Sequence, residues 1–509
     1  MDRTSHMELE HAFADFRRLA QAGTLTGEKA RRLAEEAAAA FLEYFTVSGG
    51  YLGEAIALLS DLATSEDAAL RHAGVHGLFP CLVEPLGDAF EATACALYDR
   101  LFAQVIQQCR QLPAGAALDA ALHRFGLATE REILARAARI RVPRRLDGEQ
   151  GRRIRRAYVL SRVTIGADIA VTSVVLAALK RFCPQAQLTL VGSPKVQQLF
   201  AGDASVNLCG LEYPRSGGLF DRLDGWLKAV DVIQRDTTGL QASEYLIIDP
   251  DSRLTQLGLL PLLRDESAYV FFESRSYQAG ELQKISELTA HWLHSMCGVD
   301  LPIYPYCAPS AADVAFARRV VEATRAHSRG PVVSLNLGVG ANPRKRLPDP
   351  FEHRLLGCLL QEGATVILDK GGEPEEAARV EALRVGCAGG YGTVALRETS
   401  ADLDLVASAP TPRLLTWQGG IGRFAALIGQ SDLYVGYDSA GQHIAAALGV
   451  PTVDIFTGFS SPRMPQRWAP HGPGPVHLLV LEEAEKANPR RLQTLVEEVV
   501  GYLKPGKPR

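Results

Sequence analysis

Through most of the first 145 residues, apolar positions recur at three- and four-residue spacing. Gly27 to Phe45 and Glu91 to Leu112 show it most clearly. That period is the mark of helices with one buried face. Ala, Leu, Glu and Arg dominate this stretch, long β-branched runs are missing, and Pro80, Pro85 and Pro113 punctuate it. From Ala157 the pattern changes to short apolar runs alternating with amphipathic segments. It predicts strands over 157–163, 187–192, 245–248 and 268–272, and helices over 169–182 and 194–200. A second set begins near Pro331, with strands over 332–337, 365–368, 413–416, 433–436 and 452–456. Its helices are predicted over 351–361, 423–429 and 443–448. A closing helix near Arg490 to Leu503 is expected to send its tail back to the first sheet. Alternating strands and helices imply parallel sheets covered by helices. The expected class is therefore α/β, with two Rossmann-like domains facing a cleft after an all-α N-terminal domain. The expected boundaries are 1–150, 151–325 and 326–509.

Composition narrows the function classes. The chain has 509 residues, 47% of them apolar and 22% charged, which are globular values. Its 54 Lys plus Arg against 58 Asp plus Glu give a net charge of −4, so nucleic acid is not an expected partner. The nine cysteines are scattered without a Cys-x-x-Cys pair, against both a zinc ribbon and a disulfide framework. Reduced thiols in a cytoplasm are expected. MDRTSHMELE at the start has no apolar core, so no secretory signal is expected. No apolar run reaches the roughly 18 residues of a membrane span. Peripheral contact with the inner face of the cytoplasmic membrane stays open. Between Arg124 and Arg156 eleven arginines face only Glu130, Glu132, Asp147 and Glu149. That strip reads either as a solvated face and linker or as a dock for lipid phosphates or acidic partners.

Four segments carry candidate chemistry. In Leu433 to Pro451 an apolar strand runs into Asp438-Ser439-Ala440-Gly441 and then an alanine-rich helix containing His443. The free amides of such a helix start, with the helix dipole, accept anions. An ordinary capped helix is the plainer reading. In Asn336 to Pro348 small residues including Gly340 follow a strand, and then come Asn342, Lys345 and Arg346. Small residues allow close backbone approach, and Lys345 and Arg346 supply fixed positive charge for a diphosphate leaving group. The Gly-Lys-Ser/Thr of a Walker A loop is missing. In Trp417 to Gly422 the glycines, Gly420 among them, could approach a nucleotide while Trp417 stacks on its base. Asp168, at the end of Ser161 to Asp168, would sit at the carboxyl edge of a strand as a general base, or as a helix cap.

Taken in order, these segments resemble glycosyltransferase family 9, the lipopolysaccharide heptosyltransferases. The resemblance lies in Gly166-Ala-Asp168 and the helix to Leu179, Gly340-Ala-Asn-Pro-Arg-Lys-Arg-Leu-Pro348, the Arg423 to Gly436 helix and strand, and Asp438-Ser439 with His443. It covers roughly residues 157–505, not the helical N-terminal part. The sequence departs from the family pattern at Ala167, which separates Gly166 from Asp168, at Ala440-Gly441, and at Leu347. The resemblance implies a GT-B fold, with the acceptor side in 151–325 and the nucleotide-sugar donor side in 326–509. It implies an inverting, metal-independent transfer with no metal site and no cofactor, from a nucleoside-diphosphate sugar such as ADP-heptose. The acceptor would be a hydroxyl on a lipopolysaccharide-type glycolipid or a protein. Asp168 falls at the family's base. Lys345 and Asp438 to Gly441, beside His443, fall at its donor site. The helical part is similar in layout to bacterial protein glycosyltransferases with helical domains before a GT-B core, and self-association through it stays open. A GT-B-like sugar-nucleotide epimerase and a catalytically silent scaffold acting through the helices are the rival readings.

Overall fold

The computed structural model describes residues 25–215, 217–340, 342–387, 391–398, 405–406 and 412–503. The first 24 residues of the helical segment lie outside them. In chain order the strands are β1 (Arg156–Leu160), β2 (Gln187–Gly192), β3 (Val206–Gly210), β4 (Tyr245–Asp249), β5 (Tyr269–Phe271), β6 (Val332–Asn336), β7 (Thr365–Asp369), β8 (Gly392–Leu396), β9 (Pro412–Trp417), β10 (Leu433–Tyr437), β11 (Thr452–Phe456) and β12 (Val476–Val480). They build parallel sheets after a run of helices, the α/β class that the pattern predicts. The chain divides into two compact units, one of residues 1–144 with 211–277, the other of 145–210 with 278–509.

In the first unit the helices Gly27–Ser48, Gly53–Ala63, Ala68–Leu78 and Ala92–Gln111 pack through Ala and Leu faces such as Ala34, Leu59, Leu78 and Leu101. Strands β4 and β5 pair in parallel here. Part of the arginine strip turns inward. Arg136 is buried, donates to the Gly258 carbonyl at 2.5 Å and pairs with Glu266. Arg141 bridges Asp99 (2.9 Å) and Glu273 (2.7 Å). These two are structural ties rather than docking charges, while Arg139 stays exposed.

In the second unit β1 pairs with β2 and β2 with β3, all parallel. The larger sheet has seven parallel strands in the order β12-β11-β10-β6-β7-β9-β8. Its core joins β6, β7, β10 and β11 to the helix Asp349–Gln361. The closing helix Pro489–Gly501 puts Leu495, Val496 and Val499 into this same core. Its apolar face therefore belongs to the second sheet, and the tail beyond residue 503, expected to cross back to the first, lies outside the described residues. Strand order reverses between β6 and β10, because β7 lies on the other side of β6. Open α/β sheets hold ligands outside the strand carboxyl ends at such a switch point. Among the described residues no helix is long and apolar enough to cross a membrane.

Candidate donor site and the Asp168 loop

The carboxyl ends of β6 and β10 lie side by side, with Asn336 in register with Gly436. After β10 the chain continues through Asp438 and Ser439 into the helix Ala440–Ala447. Ser439 is its N-cap in extended geometry, and no side chain caps the helix. Its first-turn amides therefore point outward without intrahelical partners. Small residues here are obligatory: a Cβ on Gly441 would lie 2.2 Å from the Tyr434 hydroxyl, and one on Gly436 would lie 2.5 Å from it.

Lys345 reaches this loop from the segment after β6. Its ammonium pairs with Asp438 Oδ2, while Gln442 Nε2 donates to Asp438 Oδ1 at 2.9 Å. Lys345 is thus the cation that the structure brings to the helix start. Arg346, expected to share that role, turns away. Its guanidinium pairs with the fully buried Glu352 (Nε to Oε1, 2.9 Å) and with Asp349. Asn342 is exposed and caps its own turn, accepting from the Arg344 amide at 3.1 Å.

Both glycine-rich turns already hold a carboxylate. Glu376 Oε1 accepts from the amides of Val339 (2.9 Å) and Gly340 (3.0 Å). The Gly338 amide donates to Asn336 Oδ1 at 2.8 Å, and Asn336 Nδ2 donates to Asp369 Oδ2 at 3.1 Å. Burial, with Glu376 adding to it, pushes Asp369 up to about 7 against a hydrogen bond from the Gly371 amide. At the other turn the Gly420 amide donates to Glu398 Oε1 at 2.5 Å, and the Gly422 amide to Gln198 Oε1 at 3.2 Å. Trp417 corrects the expectation. It is fully buried against Phe316, with ring centroids 5.9 Å apart, so no face of the indole is open to a base.

Asp168 is fully buried. Its carboxylate accepts from Ser161 Oγ, the Arg162 amide and Thr172 Oγ1, each at 2.7 Å. Burial pushes it up to about 6 in spite of these donors. It opens a π-turn, Asp168–Thr172, inside a continuous helical run from Ile165 to Phe182. Ala167 immediately precedes this π-turn, in the short helical turn Ile165–Ala167. The Asp168 loop approaches the helix start after β10. A Cβ on Gly166 would lie 3.1 Å from His443 Cδ2 and 3.6 Å from the Ala440 Cα. His443 is itself buried, with its ring centroid 6.0 Å from that of Trp468. Burial lowers it to about 4, with Asp438 opposing and Lys345 reinforcing that shift, so the imidazole is neutral near pH 7.

Sequence reasoning missed a group of buried polar atoms under the helix start. Asp454 is fully buried on β11 in register with Gly436, and neither carboxylate oxygen has a hydrogen-bond partner. Burial, with Asp438 adding to it and Lys345 opposing, holds its carboxyl well above the usual range. Gln442 Oε1 and Thr457 Oγ1 are also buried without partners. Orphaned polar atoms are rare in folded proteins, and Asp454, Gln442 and Thr457 all carry them here. An acid in the middle of the apolar run Thr452–Phe456 was the available signal. Glu376 left none, since a glutamate in a helix is unremarkable.

A cation beside an uncapped helix start, at the switch point of a parallel α/β sheet, is an arrangement that can accept an anion. Residues 414–497, spanning β10, this helix start and β11, match the model of glycosyltransferase family 9 (heptosyltransferase). Among curated proteins none matches the chain. Similar solved structures include a family 9 glycosyl transferase from Veillonella parvula, 16% identical over 71% of this chain and 98% of that one, at a TM-score of 0.49. E. coli heptosyltransferase WaaC with ADP is 16% identical over 69% and 100%, at 0.46. E. coli ADP-heptose lipopolysaccharide heptosyltransferase II is 15% identical over 68% and 98%, at 0.44.

Proposed function

We propose that the protein is a glycosyltransferase that moves a sugar from a nucleoside-diphosphate donor to an acceptor hydroxyl. One observation carries this reading. Lys345 and the uncapped start of Ala440–Ala447 meet at the β6/β10 switch point, in contact with the loop that holds Asp168. The family match favours ADP-heptose as the donor and a lipopolysaccharide-type glycolipid as acceptor, with a protein hydroxyl as the alternative. A cytoplasmic location, with peripheral membrane contact for a glycolipid, goes with this reading.

The donor diphosphate rests on the amides at 439–441 and draws Lys345 from Asp438. Amides and ammonium stabilise the charge that grows on the departing diphosphate, the role a metal fills elsewhere, so no metal or further cofactor is required. The neutral His443 shapes the loop without adding charge. Asp168, with a raised carboxyl, is matched to take the acceptor proton near neutral pH. Attack opposite the leaving group inverts the anomeric centre.

The three donors on Asp168 favour a second reading of that residue, as a knot tying β1 to the following helix. Asp168→Asn separates the two readings. A base loses turnover and keeps donor binding, whereas a knot loses stability first.

For the function itself, the test is calorimetry with ADP, UDP and GDP, followed by product analysis with ADP-heptose. Specific ADP binding and acceptor-dependent transfer with inversion in excess EDTA are expected. Conversion of the sugar nucleotide without acceptor would make the protein an epimerase. Absence of any nucleotide binding would leave a scaffold.

A further inference from the structure

We infer that Glu376 is a resident anion that competes with the donor's diphosphate for the amides of Val339 and Gly340. This rests on the donor-site reading above and adds a gate to it. The turn after β6 presents two adjacent amides to one oxygen, at 2.9 and 3.0 Å, with Gly340 at φ +59°. Successive amides in such a turn form a concavity that accepts an oxyanion, and a carboxylate and a phosphate oxygen are interchangeable there.

Three features make Glu376 a displaceable occupant. It stands in the first turn of the helix Pro374–Cys387 and is only half-buried. Among the described residues no lysine or arginine pairs with it, so only the turn amides hold its charge. It also faces Asp369, a carboxyl whose ionisation it opposes. A like charge therefore leaves when Glu376 swings out.

The neighbouring turn is shaped to admit it. Gly371 has φ +73°, and a Cβ there would lie 2.2 Å from Glu376 Oε2. A side chain at 371 would block the inward position of the acid. The turn also adjoins the donor loop, since β6 and β10 are paired neighbours and Lys345, a few residues beyond Gly340, reaches Asp438. A diphosphate on the helix start that also engages this turn must replace Glu376.

The test is calorimetry on the full chain with ADP and with inorganic pyrophosphate, for wild type, Glu376→Gln, Glu376→Ala and Gly371→Ala. Losing a charge-assisted competitor should tighten binding of both ligands about tenfold in the two Glu376 variants. Gly371→Ala should shift affinity in the same direction while the acid stays in the chain. If wild type binds ADP and the variants bind it no more tightly, Glu376 is a structural brace and the inference is wrong, though the donor site stands. If only pyrophosphate binds, and more tightly in Glu376→Gln, the gate stands and the nucleotide reading falls. If neither ligand binds any form, both fall.

Discussion

His443 gives the sharpest quantitative test of how this site is built. Its folded value is about 4, because burial strips the imidazolium of water and the opposing pull of Asp438 is too weak to restore it. In the unfolded chain it titrates near 6.5. Between those values the unfolded state binds more protons, so stability must fall as pH falls from about 6.5 toward 4. The full difference corresponds to roughly 3 kcal/mol, of which about 2 kcal/mol is lost by pH 5. Replacing His443 by Gln removes this contribution. Urea unfolding followed by tryptophan emission at pH 7.5 and 5.0 gives the four stabilities needed. Taking the difference between wild type and H443Q cancels the other acids that titrate, Asp168 and Asp369 among them. The wild-type advantage should shrink by about 2 kcal/mol on acidification. Identical pH dependence in the two proteins would refute the argument, as would an imidazole NMR titration near 6.5. The same argument implies that donor affinity between pH 6.5 and 8 owes nothing to charge on His443.

Other expected outcomes follow from the contacts around it. Lys345→Ala leaves Asp438 without its cation, so thermal denaturation should show a loss of about 1–2 kcal/mol. Calorimetry on that variant should find ADP binding weakened by at least about tenfold. Asp168→Asn should lower turnover by about 10²- to 10⁴-fold with ADP affinity nearly unchanged if the residue is the base; normal turnover would remove that role. Trp417→Phe should leave ADP affinity untouched and cost about 1–3 kcal/mol of stability through the cavity it leaves in the core, with no hydrogen bond lost from the unpartnered indole N–H. A large loss of ADP binding would restore the stacking role.

The strand–helix alternation, the parallel sheets it implies and the small-residue turn into a helix after β10 are local properties. Apolar period, small residues at a strand end and a helix start are all written in neighbouring residues, so 433–451 could be read directly. Elements with weak local patterns escaped, among them the edge strands β8 and β12 and the helix Pro374–Cys387. An edge strand is covered less than a central one, as the partly exposed β12 shows, and this helix buries only Val380 and Leu383. The tertiary structure decided the rest, because sheet order sets which distant residues meet. It sent Lys345 to Asp438 and Arg346 to Glu352, although the two are adjacent in sequence. It sank Trp417 into the core, laid the carboxylates of Glu376 and Glu398 on the two glycine turns, and closed Asp168 within its own loop. A side chain's type limits what it can bind, but its partner depends on which strand ends come together, and that is fixed only when the whole sheet has formed.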